Sequence, residues 1–116
     1  MLQKIESKLH EVTGLVFYGS ADDIANNVLW RYTVFWRDRS ARSQNNTSFT
    51  DYYSVAIVHE NYVPDEMIYL TISKMEELAG VRLSNEDIRF EYSYKPGTIA
   101  VVEIATLTFC CARKRV

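Results

Sequence analysis

The sequence is short of the residue types that most chemistry needs. Two cysteines, two histidines and four glycines are spread over 116 residues. Two cysteines cannot frame a disulfide-stapled fold. No C-x₂-C or H-E-x₂-H spacing offers a metal-ligand set. The glycines stand singly, so no glycine-rich loop cradles a phosphate. His10 falls on the polar side of a helix and His59 ends a strand beside Glu60. Asp22-Asp23, Asp65-Glu66 and Glu76-Glu77 fall at helix starts or on a solvated helix face. No catalytic residue, cofactor or metal is therefore expected, and the chain does not read as an enzyme. The net charge is only -2, which excludes a global pull toward nucleic acid or an anionic membrane. No apolar run approaches the roughly 20 residues that span a bilayer. MLQKIESKLHEV lacks the apolar core of a signal peptide, so a protein kept in the cytoplasm is expected.

What is present is a single domain, residues 1–116, with 47% apolar residues and enough chain for a real core. Leu2, Ile5, Leu9 and Val12 recur at spacings of three and four, predicting an amphipathic helix that Gly14 stops in a left-handed cap. A short strand, Leu15–Tyr18, follows, and residues 20–27 read as a loop with one turn. VLWRYTVFWR, 28–37, and YYSVAIVH, 52–59, are β-branched and aromatic and predict strands. Pro64-Asp65-Glu66 starts a second helix, with Ile68, Ile72, Met75 and Ala79 as its buried stripe and Gly80 as its stop. IRFEYSY alternates as a strand. Lys95-Pro96-Gly97 makes a turn, and 98–110 is the last strand. The order is α-β-β-β-α-β-β, an α+β fold with a largely antiparallel sheet of four or five strands and two helices on one face.

Two features call for a partner. The strand at 28–37 is apolar or aromatic on both sides, with Leu29, Arg31, Thr33 and Phe35 facing one way and Trp30, Tyr32, Val34 and Trp36 the other. Two helices cover one sheet face, and a row of exposed aromatics on the other invites association. Trp30, Tyr32 and Trp36 are therefore candidate subunit-interface residues. The second feature is DRSARSQNNTSFTD, 38–51, polar and without periodicity, which predicts a long loop of the kind that carries function. Arg37 at its start, Asp38, Arg39, Arg42 and Phe49 in it, and Arg113, Lys114 and Arg115 in a basic tail at 112–116, are candidate contact residues. Cations beside aromatics also suit phosphates and bases, but a patch this small gives only salt-sensitive, non-specific affinity. Cys110 and Cys111 fall on opposite faces of the last strand and read as small buried hydrophobes.

HENYVPDE before the second helix and TIAVVEIATLTF at 98–109, within a pattern running from about Val16 to Lys114, resemble the tail terminator (tail completion, head-tail joining) proteins of phages and prophages of Gram-positive bacteria. The resemblance implies a small α/β domain that assembles as a homo-oligomer, usually a hexameric ring, on the head-proximal end of the tail tube. It implies the tail tube protein, neck or connector proteins and, in contractile systems, the sheath as partners, with DNA passing the lumen without specific recognition. Such a protein is made in the bacterial host cytoplasm and built into the virion or tail-like particle. Adjacent subunits would then cover the second apolar face. The alternatives are a minor capsid- or neck-associated interaction module and a small DNA-binding accessory protein.

Overall fold

Strand formation dominates this chain because β-branched and aromatic residues cluster in three long runs, each of which finds a neighbour of equal length. In a computed structural model, residues 1–19, 31–42, 48–95 and 97–114 are described, with only the backbone of Arg113 and Lys114. The expected loop at 20–27, strand residues 28–30 with Trp30, Pro96 of the turn, and Arg115 lie outside the described residues. The element order is α1 (Leu2–His10), β1 (Val16–Tyr18), β2 (Arg31–Arg42), β3 (Ser48–Glu60), α2 (Asp65–Glu76), β4 (Val81–Leu83), β5 (Arg89–Tyr94) and β6 (Val101–Lys114). The described residues form one α+β domain with two helices.

Among the described residues the sheet has six strands in the order β1-β2-β3-β6-β4, with β5 also on β6. It is mixed, because β1 runs parallel to β2 while every other pair is antiparallel. The expected five strands become six because Val81–Leu83 forms β4, too short a segment to alternate visibly. β4 and β5 follow one another along the same edge of β6, Leu83 opposite Phe109 and Arg89 opposite Thr106.

Both helices pack on one face. Ile5 and Leu9 of α1 and Ile68 and Met75 of α2 share a core with Phe35, Tyr53, Val55, Ile57, Ala105, Leu107, Phe109 and Cys111. The core residues of the long strands β2, β3 and β6 are all odd-numbered, as the two-residue period of a strand requires, and Val16 of β1 joins them. The face division expected for 28–37, and the parting of Cys110 from Cys111, therefore hold for the described residues. Gly14 is not a left-handed cap: α1 ends on Glu11 in helical conformation, and the left-handed glycines are Gly19, Gly80 and Gly97. Gly80 ends the α2 region at φ 81°, with Cys111 Sγ 3.6 Å from where a Cβ would sit. Thr71, not Ile72, is fully buried on α2. Its hydroxyl donates to the Met67 carbonyl at 2.7 Å, which removes the penalty for burying it.

Thr33 lacks such relief: its Oγ1 is buried without a hydrogen-bond partner among the described residues. Thr33→Val keeps the shape and removes the orphaned hydroxyl, so it should leave stability unchanged or raise it by ~1 kcal/mol, read from urea melts.

The helix ends are joined by a charge cluster. Lys8 lies 2.7 Å from Glu77 and 3.5 Å from Glu11, and Lys74 lies 3.1 Å from Glu11 and 3.6 Å from Glu77. The Lys74 hydrogen bond holds Glu11 below the ordinary carboxylate value, and the Lys8 hydrogen bond does the same for Glu77. Hydrogen bonds to Glu77 and Glu11 raise Lys8 and Lys74 respectively. Lowered carboxylates stabilise the fold above their unfolded values, and that stability is lost as pH falls through the folded ones. Raised lysines stabilise it below their unfolded values and lose the effect as pH rises through the folded ones. Glu11→Gln with Glu77→Gln should therefore flatten the acid limb of a stability–pH profile, more visibly at low salt than at high.

Candidate assembly surface

The polar stretch at 38–51 is mostly strand. β2 runs on to Arg42 and β3 begins at Ser48, with Arg39 opposite Tyr52, Ser40 opposite Asp51, Ala41 opposite Thr50 and Arg42 opposite Phe49. Only 43–47, which includes the Asn45-Asn46 pair, lies outside the described residues. The last strand likewise continues, Ala112 opposite Thr50, Arg113 opposite Phe49 and Lys114 opposite Ser48. The expected basic tail at 112–116 is sheet through Lys114. The difference from a loop has a physical cause. Residues Arg37–Arg42 are exposed, so neither face is selected for apolar side chains and the alternation that marks a half-buried strand is missing. A register shift between Arg37 and Arg39 inserts Asp38 as a bulge and reverses the parity of the strand residues beyond it.

That bulge decides where the arginines go. Arg37 stays on the helix side, opposite Tyr53, and lines a hollow of ≈ 440 Å³ with Ser40, Asp51 and Cys111. Ser40 Oγ donates to Asp51 at 2.6 Å, and burial, with the Asp51 charge adding to it, pushes the Cys111 thiol above its ordinary value. A buried thiol raised in this way is a poor nucleophile. Arg39 moves to the opposite face, its Cζ 3.9 Å from the centre of the Tyr52 ring. It also contacts Glu86 at 3.1 Å and Asp38 at 3.4 Å. Arg42 lies in the same cross-strand row as Phe49 and Arg113. Of the expected cations, Arg39 is thus committed to carboxylates and an aromatic face of its own chain.

The face without helices is built from even-numbered residues of the long strands. Trp36, Ser54 and Thr108 form one row, Val34, Ala56 and Thr106 the next, and Tyr32, Val58 and Ile104 a third. Phe17 of β1 joins them, its ring 5.9 Å from Tyr32 in an edge-on contact. Among the described residues no helix packs here; both belong to the other face. Tyr32 and Trp36 are half-buried. At the ends of this face the Arg39–Glu86 pair and a 2.7 Å Lys95–Glu60 pair form a charged border. Cys110 lies on this side with Arg82 Nε 3.5 Å from its sulfur, while Cys111 enters the core. The two thiols diverge as expected and both are buried and free. His59 sits opposite Glu103, seven ladder positions from Cys110 and eight from Cys111, and at ~3.3 Å per residue neither thiol is within reach of that imidazole.

Sequence reasoning missed Tyr52 and Glu86, which order Arg39, Arg82 beside Cys110, and Phe17 beside Tyr32. It also missed Glu103, buried in β6, whose Oε1 accepts the Val63 N–H at 2.8 Å. The same carboxylate accepts from the Tyr92 hydroxyl and raises that phenol's pKa. Phe17 alone carried a signal, as an aromatic in a three-residue apolar run. Among the described residues, no three of His, Cys, Asp and Glu group as metal ligands, and no helix is long and apolar enough to cross a membrane. No family model and no curated protein matches the chain.

Proposed function

We propose that this chain is a structural, non-catalytic protein that caps the head-proximal end of a phage or phage-like tail tube as a ring, usually of six copies. It ends tube growth and docks neck or connector proteins, and in a contractile particle the sheath. The observation that carries the proposal is the helix-free sheet face, an aromatic band of Phe17, Tyr32 and Trp36 with a charged border. Such a band, apolar at its centre and polar at its rim, has the anatomy of a protein interface. A cyclic ring is closed by heterologous contacts, one patch against a different one. The resemblance in HENYVPDE and in 98–109 supplies the tail as the setting, and the α+β architecture agrees with it. The far end of the β2–β3–β6 ribbon, where Arg42, Phe49 and Arg113 share a row, is the contact to tube or connector. The protein is made in the host cytoplasm and carried in the particle. Particles assembled without it should show overlong, headless tails of scattered length in electron micrographs. Headed particles with tails of uniform length would sink the proposal.

A further inference from the structure

β5 is an edge strand, paired only with β6 among the described residues, and all six of its residues are exposed. Edges of this kind are normally blunted by a proline, a bulge, inward charges or charged side chains. Within β5 there is no proline or bulge, and beside the charged Arg89 and Glu91 it carries Phe90 47%, Tyr92 66% and Tyr94 65% exposed on the helix side. The other side carries Arg89 and Glu91. The Lys95 N–H donates to the Ala100 carbonyl at 3.1 Å, so alternation along the strand directs the N–H and C=O of Glu91 and Arg89 toward β6. Those of Phe90, Tyr92 and Tyr94 point outward. The free edge is therefore a ready antiparallel template with its aromatic residues in the hydrogen-bonding positions.

We infer that β5 pairs antiparallel with β5 of a second copy, centred on Phe90, so that two sheets join across a twofold axis. The charge pattern selects both occupant and register. With Phe90 opposite Phe90, each Arg89 faces the other copy's Glu91, and Tyr92 faces Ile88. Opposite charges directly across an antiparallel pair stabilise it, and like charges there destabilise it. Moving the centre one residue either way sets Arg89 against Arg89 or Glu91 against Glu91. Glu86, a carboxylate of the same chain near Arg89, is held by Arg39 at 3.1 Å and acts on Arg89 only through space. The twofold contact is isologous and stands apart from the ring: it concerns the free protein and uses an edge, not the aromatic face.

The test is sedimentation equilibrium of the full chain at low salt. The wild type should show a monomer–dimer equilibrium. Arg89→Glu or Glu91→Arg alone should weaken dimerisation about tenfold or more, and the two together should restore it. Phe90→Cys should oxidise to a disulfide-linked dimer, because residues paired across an antiparallel ladder lie at ~5.5 Å, within disulfide reach. Tyr94→Cys, displaced from the axis, should not. A wild-type monomer at all concentrations, single reversals without effect, or equal cross-linking at 90 and 94 would each overturn the inference. None of these results bears on tail length, so this inference and the ring fail independently.

Discussion

Phe109→Ala should lower the free energy of unfolding by about 3–5 kcal/mol, the range for deleting a fully buried aromatic side chain. Phe109 is 0% exposed and sits in one cross-strand row with Tyr53 and Leu83, beneath the helices. Truncation there opens a cavity between elements that are tied to one another across the sheet and cannot collapse freely. A domain of this size has ~5–15 kcal/mol in total, so the variant loses a large share of its stability. Urea denaturation should show a lower midpoint with an unchanged slope. Ile99→Ala is the control: at 93% exposed it should shift stability by no more than ~0.5 kcal/mol. Similar losses at both positions would mean that the odd-numbered face is not the core.

The second large effect concerns assembly. Tyr32→Glu with Trp36→Glu should leave a folded chain, since both side chains sit on the helix-free face, yet abolish its capacity to end tail growth. A buried aromatic anchor contributes ~2 kcal/mol or more to an interface, and each 1.4 kcal/mol is tenfold in affinity. Unpaired carboxylates in a desolvated contact add to the loss. Because a ring repeats the contact at every subunit, the deficit multiplies around it. Circular dichroism should match the wild type while tails become overlong. Normal tails from this variant would remove the aromatic band from the interface.

How much was legible in the sequence differs along the chain for physical reasons. Phe35 could be placed with Thr33 on one face of its strand because one sheet face is buried under helices and the two-residue period leaves a visible pattern. The diverging cysteines followed from the same period. The ribbon was unreadable as strand because 38–42 meets solvent on both faces, while at 48–51 the half-buried and buried positions are mostly polar, Asp51 among them, so pairing there leaves no apolar trace in composition. Its parity was lost as well, since nothing in Arg37-Asp38-Arg39 announces a bulge. β4 was too short to show a period, and the parallel pairing of β1 with β2 depends on residues far apart in the chain. Of the candidate contacts, Tyr32 and Trp36 fall together on one face, whereas Arg37 and Arg39 part to opposite sides. The engagement of Arg39 with Tyr52 and Glu86 could not be foreseen, because those partners lie 13 and 47 positions away.

The bulge also changes what an internal deletion would do. Removing 40–48 from a loop would spare the fold. Here it would strip the strand pairs of Ser40, Ala41 and Arg42 with β3 and that of Ser48 with Lys114. Such a variant would confuse lost structure with lost contacts, and point substitutions on the helix-free face are the cleaner probe.

The most direct measurement is electron microscopy of the purified protein mixed with its polymerising tail tube protein. A ring of six copies at one end of each tube, with tube growth halted and the Tyr32–Trp36 face buried between neighbouring copies, is the predicted result. Tubes that grow without limit and carry no added density at either end would contradict it.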